Sequence, residues 1–119
     1  MITKLSMLIP SDLCGVWIVR TFHLYGGFFR RYSKVGTFVK SSVRRVKSRN
    51  FIKKKKKTIA FNLRTAYRLL KFDGSSIQFK KNNCVLLKRR MTPRGDFLYG
   101  PVPLVVRRRK FIASFAGKI

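Results

Sequence analysis

Apolar and polar positions along this chain alternate in pairs more often than they recur every three or four residues, a pattern that predicts strands. Residues 16–24, V-W-I-V-R-T-F-H-L, are rich in β-branched and aromatic side chains and read as a well-buried strand, with a shorter candidate at 6–9 ahead of it. Gly26 and Gly27 end the long strand, because adjacent glycines favour turns. Residues 28–32 (F-F-R-R-Y) then interleave aromatics with arginines, and partial alternation resumes over 37–46. Residues 58–66 alternate cleanly, with Ile59, Phe61 and Leu63 on one side. Asp73-Gly74 is a tight-turn signal, since such a pair readily adopts the positive φ angles of hairpin turns. Residues 76–79 and 84–87 read as two short strands flanking a second turn that contains Asn82. Short strands at this spacing predict a mainly β fold, a small barrel.

The last part of the chain changes character. Pro93, Gly95, Gly100, Pro101 and Pro103 make residues 91–103 an ordered loop. Pro103 suits the first turn of a short helix over 104–109, where its missing N–H is not needed, and a second short helical turn is predicted at 110–116. A chain of 119 residues is expected to form one domain. Residues 1–90 would be the barrel with a basic hairpin at about 44–57, and residues 91–119 the loop and short helices.

Charge then narrows the class. Lys and Arg number 29 against three acids (Asp12, Asp73 and Asp96), giving a formal charge of +26. A small soluble domain needs a net charge of only about 2 to 8 in magnitude. Like charges at this density repel when the chain compacts, so a polyanion must neutralise the folded protein, and nucleic acid is the commonest one. The chain is no disordered basic tail, because 45% of it is hydrophobic and it holds 11 Phe. Candidate phosphate contacts are Arg30, Arg31, Arg44, Arg45, Lys47, Arg49 and the run Lys53, Lys54, Lys55, Lys56 and Lys57, with further clusters at 88–90 and 107–110. Their spread along the chain suits a protein embedded among RNA helices better than one that reads a single DNA groove. Phe28, Phe29 and Tyr32 read equally well as base-stacking rings or as barrel-rim residues.

Catalytic chemistry has little to work with. The single histidine, His23, falls in a predicted strand without a paired acid, and the three Asp lie on separate turns or loops. No Cys/His cluster has zinc spacing and no glycine-rich phosphate loop precedes Lys-Ser/Thr, so no catalytic residue, metal or cofactor is expected. Cys14 and Cys84 sit among apolar neighbours and read as buried free thiols rather than a disulfide. No apolar stretch near the start approaches the roughly 20 residues of a membrane span, and Pro10 and Asp12 interrupt any signal-peptide core.

The middle of the chain reads D-G-S-S-I-Q-F-K-K-N-N-C-V-L-L from Asp73, which resembles the signature of the universal large-subunit ribosomal protein L-fourteen family. Other elements follow in the same order. Met7-Leu8, Asp12 and Gly15 come first, then G-G-F-F-R-R-Y-S-K-V-G from Gly26, Arg64-Thr65, Pro93 with Gly95, Gly100-Pro101-Val102, and Lys110-Phe111. The resemblance implies a five-stranded barrel with a projecting basic hairpin and a C-terminal loop region carrying two short helices. One barrel strand would end at Phe79 and the next begin after Asn82. It also implies binding to large-subunit rRNA, with Tyr32 and Arg64 among the contacts. Neighbouring large-subunit proteins and small-subunit rRNA across the interface would be met too, through Asp96, Phe97, Arg107, Arg108 and Lys110. That C-terminal face can also hold a ribosome-silencing factor in bacteria and organelles. Here Asp96-Phe97 stand where the family has Thr-Arg, and Ala113 where it has Lys, so those contacts are not expected in their usual form. Phe61-Asn62-Leu63 likewise replaces an apolar triplet. Because the match begins at Met1, no cleavable presequence is expected, which suggests synthesis inside an organelle, a mitochondrion before a plastid, with a bacterial cytoplasm as the other setting. Charge alone would also suit a nucleoid-type, general nucleic-acid-binding protein.

Overall fold

The computed structural model describes residues 1–107, 110–115 and 117–118. In chain order the strands are β1 (Ile2–Thr3), β2 (Met7–Pro10), β3 (Val16–Leu24), β4 (Tyr32–Ser33), β5 (Phe38–Val46), β6 (Lys57–Arg64), β7 (Leu69–Leu70), β8 (Ser76–Ile77), β9 (Asn83–Leu87), β10 (Phe97–Leu98) and β11 (Gly117–Lys118). A short helix α1 (Leu104–Arg107) and a 3-10 turn (Lys110–Ser114) lie between the last two strands.

Five strands close a barrel in the order β2-β3-β5-β6-β9. Closure falls to β2, whose first half pairs antiparallel with β3 (Leu8↔Val19) and whose second half pairs parallel with β9 (Ile9↔Asn83, Pro10↔Cys84). Register shifts in the β3–β5 pairing between Val16 and Ile18, Ile18 and Val19, and Thr21 and His23 mark β-bulges. Such bulges add the bend and twist that a small closed sheet needs.

Strand pairing carries one set of side chains around the lumen. Leu8 faces Val19 and Val19 faces Val43, while Val39 faces Ala60 and Ala60 faces Leu86; all six are fully buried. On β6 and β9 the opposite face is buried too. Phe61, Leu63, Val85 and Leu87 pack under Leu98, Val106, Ile112 and Phe115, with Ile59 at the margin. Ile59, Phe61 and Leu63 therefore share a side, and that side is the barrel's outer wall, covered by the C-terminal segment.

The alternation left β8 misplaced. Ser76–Ile77 pairs with Leu69–Leu70 in a separate two-stranded ribbon, turned by Asp73-Gly74. Both edges of β9 are already taken, by β6 and β2, so no barrel position remains for residues 76–79. At the ribbon tip Gly74 has φ of +85°, and Asp73 Oδ1 accepts from Ser75 N (3.0 Å) and Ser75 Oγ (2.6 Å), which holds the Asp73 carboxyl below its usual range. Asn82 is a tie rather than a hairpin turn between barrel strands. Its Oδ1 accepts from Ala66 N at 2.8 Å and its carbonyl accepts from Ile9 N at 3.1 Å.

Asn62 explains how β6 tolerates a polar residue within an apolar triplet. The side chain is fully buried, and Nδ2 donates to Ser33 Oγ (2.9 Å), Lys34 O (3.3 Å) and Thr37 Oγ1 (3.3 Å). Gly36 N donates to Asn62 O at 2.9 Å, and Asn62 N donates to Thr37 O at 2.9 Å. One asparagine thus ties the 33–37 turn to the barrel through its side-chain Nδ2, while its Oδ1 stays buried without a partner.

Candidate nucleic-acid interface

The basic segment after β5 does not end in a free tip. The β5–β6 register runs from Phe38↔Phe61 to Ser42↔Lys57, and residues 47–56 then fold back over the barrel mouth. Three contacts pin them there. Lys47 N donates to Gly15 O at 2.9 Å, Asn50 Nδ2 donates to Cys14 O at 3.1 Å, and Ile52 is buried in the luminal core. Arg49 and Lys55 take the left-handed conformation (φ 60° and 64°), and Val43 bonds to Lys55 N and Lys56 O. The backbone is thereby held while Arg44, Arg45, Lys47, Arg49 and lysines 53–57 all remain exposed. The result is an anchored rim of cations around one mouth of the barrel. Ile52 and Asn50 were missed in the sequence because they belong to a three-residue uncharged stretch, Asn50-Phe51-Ile52, too short to show a period between basic runs.

A second cationic surface is built by residues 26–34. Gly26 (φ 108°) and Gly27 (φ 117°) reverse the chain, and Phe29 sits in the left-handed region at φ 59°. Arg30 secures the loop, its Nε donating to Tyr32 O at 3.2 Å and its Nη1 to Gly26 O at 3.3 Å. Phe28 and Phe29 are 90% and 86% exposed, their ring centroids 4.3 Å apart, with Arg31 and Lys34 exposed beside them. They are not rim packing. Tyr32 belongs to the β1–β4 ribbon and keeps its ring half exposed. Large exposed rings in a strained loop lined by cations match what base stacking needs.

Arg64 corrects an expectation. The residue is only 7% exposed, and its guanidinium donates to Tyr99 O (2.9 Å), Pro101 O (2.8 Å) and Ser11 Oγ. Gly100, at φ 81°, allows the tight turn that presents both carbonyls to Arg64. Burial lowers the guanidinium's pKa. Arg64 therefore ties the end of β6 to the C-terminal loop and is not available to phosphate. On the C-terminal side Asp96 and Phe97 are exposed, and Phe97 pairs with Gly117 in the parallel β10–β11 ladder, which the sequence did not reveal. Arg108 lies outside the described residues, and Arg107 and Lys110 are described in backbone only.

The remaining reactive groups are inert or isolated. Burial pushes the Cys14 thiol up to about 12 and Cys84 well above its usual value, and both are free. Asp12, 5% exposed, accepts from Gly95 N through Oδ2 at 3.2 Å, and burial raises its carboxyl to about 6. His23 is exposed, packed edge-on to Tyr25 with centroids 5.6 Å apart. No group of three or more His, Cys, Asp or Glu that could hold a metal occurs among the described residues. A closed barrel with anchored cationic rims and exposed rings defines a nucleic-acid-binding scaffold protein.

Comparison with known proteins makes the class specific. The chain belongs to the ribosomal protein family described as L14p/L23e, which it matches over residues 1–119. It is 49% identical, over 119 residues and 100% of both chains, to the large ribosomal subunit protein uL14m of Tetrahymena pyriformis. It is accordingly a structural constituent of the large ribosomal subunit and not an enzyme, with ribosomal RNA and ribosomal proteins as partners.

Proposed function

We propose that this chain is held in the large subunit of a mitochondrial ribosome by phosphate contacts from the 44–57 rim and the 26–34 loop. As one domain, it presents its C-terminal side to small-subunit rRNA. The observation that carries this reading is the combination of exposed cations on anchored backbone. Such a surface meets a phosphate array with little further loss of conformational freedom, and it positions the protein without reading sequence. Arg44, Arg45, Lys47, Arg49 and lysines 53–57 supply the first surface; Arg31 and Lys34, with Phe28, Phe29 and Tyr32 for stacking, supply the second. The mitochondrial setting is supported by the likeness to the Tetrahymena protein and by a chain nearly empty of acids.

The bridge is assigned to the C-terminal basic cluster of the sequence, Arg107, Arg108 and Lys110. A silencing factor that reads a Thr-Arg pair would meet Asp96 and Phe97 instead, so the proposal does not extend to it.

Sedimentation of mitochondrial lysate through a gradient in moderate salt tests the location: the protein should travel with large subunits and joined ribosomes. Recovery only in free or DNA-bound fractions would reject it. Replacing Arg107, Arg108 and Lys110 with Gln should raise the ratio of free large subunits to joined ribosomes. An unchanged ratio removes the bridge and leaves the rRNA contacts standing.

A further inference from the structure

A cavity of about 330 Å³ opens on the barrel's outer wall, touching the basic rim only at its last lysine, Lys57. Its apolar lining comes from Phe22, Ile59 and Leu87, and its charged lining from Lys40, Lys57, Arg89 and Arg94. Strand register brings them together. Lys40 lies opposite Ile59 across β5–β6, and Ile59 lies opposite Leu87 across β6–β9. Phe22 occupies the bulge between Thr21 and His23, next to the His23↔Lys40 pair.

The loop after β9 completes the cavity by turning back on itself. Met91 N donates to Lys88 O (2.9 Å), Lys88 N donates to Thr92 O (2.7 Å), and Arg94 N donates to Leu86 O (2.9 Å). Met91 takes φ of 60° at the bend. Arg89 on the outgoing arm and Arg94 on the returning arm therefore line the same space. Arg94 Nε is buried there and has no hydrogen-bond partner.

We propose that this cavity receives a single extruded nucleotide of large-subunit rRNA, its base against Phe22, Ile59 and Leu87 and its phosphate among Lys40, Lys57, Arg89 and Arg94. The inference rests on the rRNA-binding reading and goes beyond it in naming an unpaired nucleotide as the ligand. Ligand sites run from about 300 to 1,000 Å³, so the space admits one nucleotide and no duplex. An apolar floor adds nothing to binding a helix backbone, whereas an unstacked base can lie on it. Four cations and no carboxylate in the lining call for an anion attached to that base.

The test compares two RNA hairpins, one carrying a single-nucleotide bulge and one without it, for binding to the full chain. The bulged hairpin should bind about tenfold tighter. Phe22→Ala and Phe22→Leu should both abolish that preference while leaving affinity for the plain hairpin in place, and Arg94→Gln should weaken the bulged complex selectively. Should Phe22→Ala fail to fold, Phe22→Leu and Arg94→Gln carry the test. Equal binding of the two hairpins by the unaltered protein, or a preference retained in Phe22→Leu, overturns the pocket but not the rRNA reading. A polyglutamate peptide that displaces the bulged hairpin at equal concentration also overturns it, by making the site a protein-binding one. Failure to bind either hairpin at low salt would instead strike the rRNA reading itself.

Discussion

The two ends of β6 place the same charge in opposite surroundings. At its start, lysines 53–57 stand in solvent on a backbone pinned by Ile52 and Asn50. At its end, Arg64 is buried with its guanidinium donating to two carbonyls and a hydroxyl. A lysine is a strongly hydrated point charge that gains little by meeting carbonyls at fixed angles, whereas a guanidinium offers a rigid planar fork of donors. Cations flanking one strand thus divide into a part of the fold and a part of the exposed surface. Charge alone does not tell them apart; the acceptors around them do.

The largest break in that division should come from Arg64→Ala. Hydrogen bonds to a charged group contribute about 1.5–3 kcal/mol each, but Tyr99 and Pro101 are exposed enough for water to replace part of the loss, so urea denaturation should show a loss of about 4 kcal/mol. Arg64→Lys should restore less than half of it. The salt slope of RNA binding should stay as it was; a lower slope would mean that Arg64 reaches phosphate after all.

Asp12 sharpens the same contrast from the acidic side. Its folded pKa, about 6, lies above the ordinary 3.8, so the folded state holds the proton more tightly. The stability it contributes is complete below about pH 3.8 and is lost as pH rises through about 6, a fall on the order of 3 kcal/mol. Asp12→Asn, which keeps an acceptor for Gly95 N, should flatten that part of the stability–pH curve in melts from pH 4 to 7. An unchanged curve would place the titration elsewhere.

Gly74→Val should have a smaller cost, about 1–2 kcal/mol, because a β-branched residue resists the left-handed conformation at the ribbon tip. The β7–β8 ribbon lies outside the barrel, so thermal melting should shift without losing cooperativity. The smallest loss of stability belongs to replacement of lysines 53–57 by Gln, which removes exposed, mutually repelling charges and no buried contact. The same variant should lower the slope of log affinity against log salt by nearly one for each phosphate that is no longer neutralised. An unchanged slope would mean that these lysines face away from RNA.

Much of the barrel was legible in the sequence because its strands declare themselves. Residues 16–24 form β3 over that span, being rich in β-branched and aromatic residues, and the alternation of 58–66 places Ile59, Phe61 and Leu63 on one side. Alternation could not say which side is the lumen, since both faces of β6 and β9 are covered. The two-residue strands β1, β4, β7, β8, β10 and β11 are too short to show any period. Leu69–Leu70, flanked by Arg68 and Lys71, carries no strand signal, and so residues 76–79 read as a barrel strand beside 84–87 instead of as the partner of 69–70. The exposure of the cations at 30–31, 44–49 and 53–57 was legible in the charge pattern; the burial of Arg64 was not, because its acceptors lie 35 and 37 residues further along and at Ser11, 53 residues earlier. No local pattern carries that distance. The cavity at Phe22 was hidden for the same reason, since it is assembled from strands distant in the chain.

The parallel pairing of β2 with β9 has a consequence for how the molecule is made. Asn83 Nδ2 donates to Ile9 O across 74 residues, and β9 is the last of the barrel strands to leave the ribosome that synthesises it. Until then β2 and β6 each present an unpaired edge, a template for pairing with other chains. Contacts between distant segments form slowly, because the intervening chain must first be brought into a loop. The nascent protein therefore passes through a long interval as an open sheet, kept from its neighbours chiefly by mutual repulsion. Any delay in translation between residues 64 and 83 lengthens that interval, and aggregation of stalled chains should rise with it.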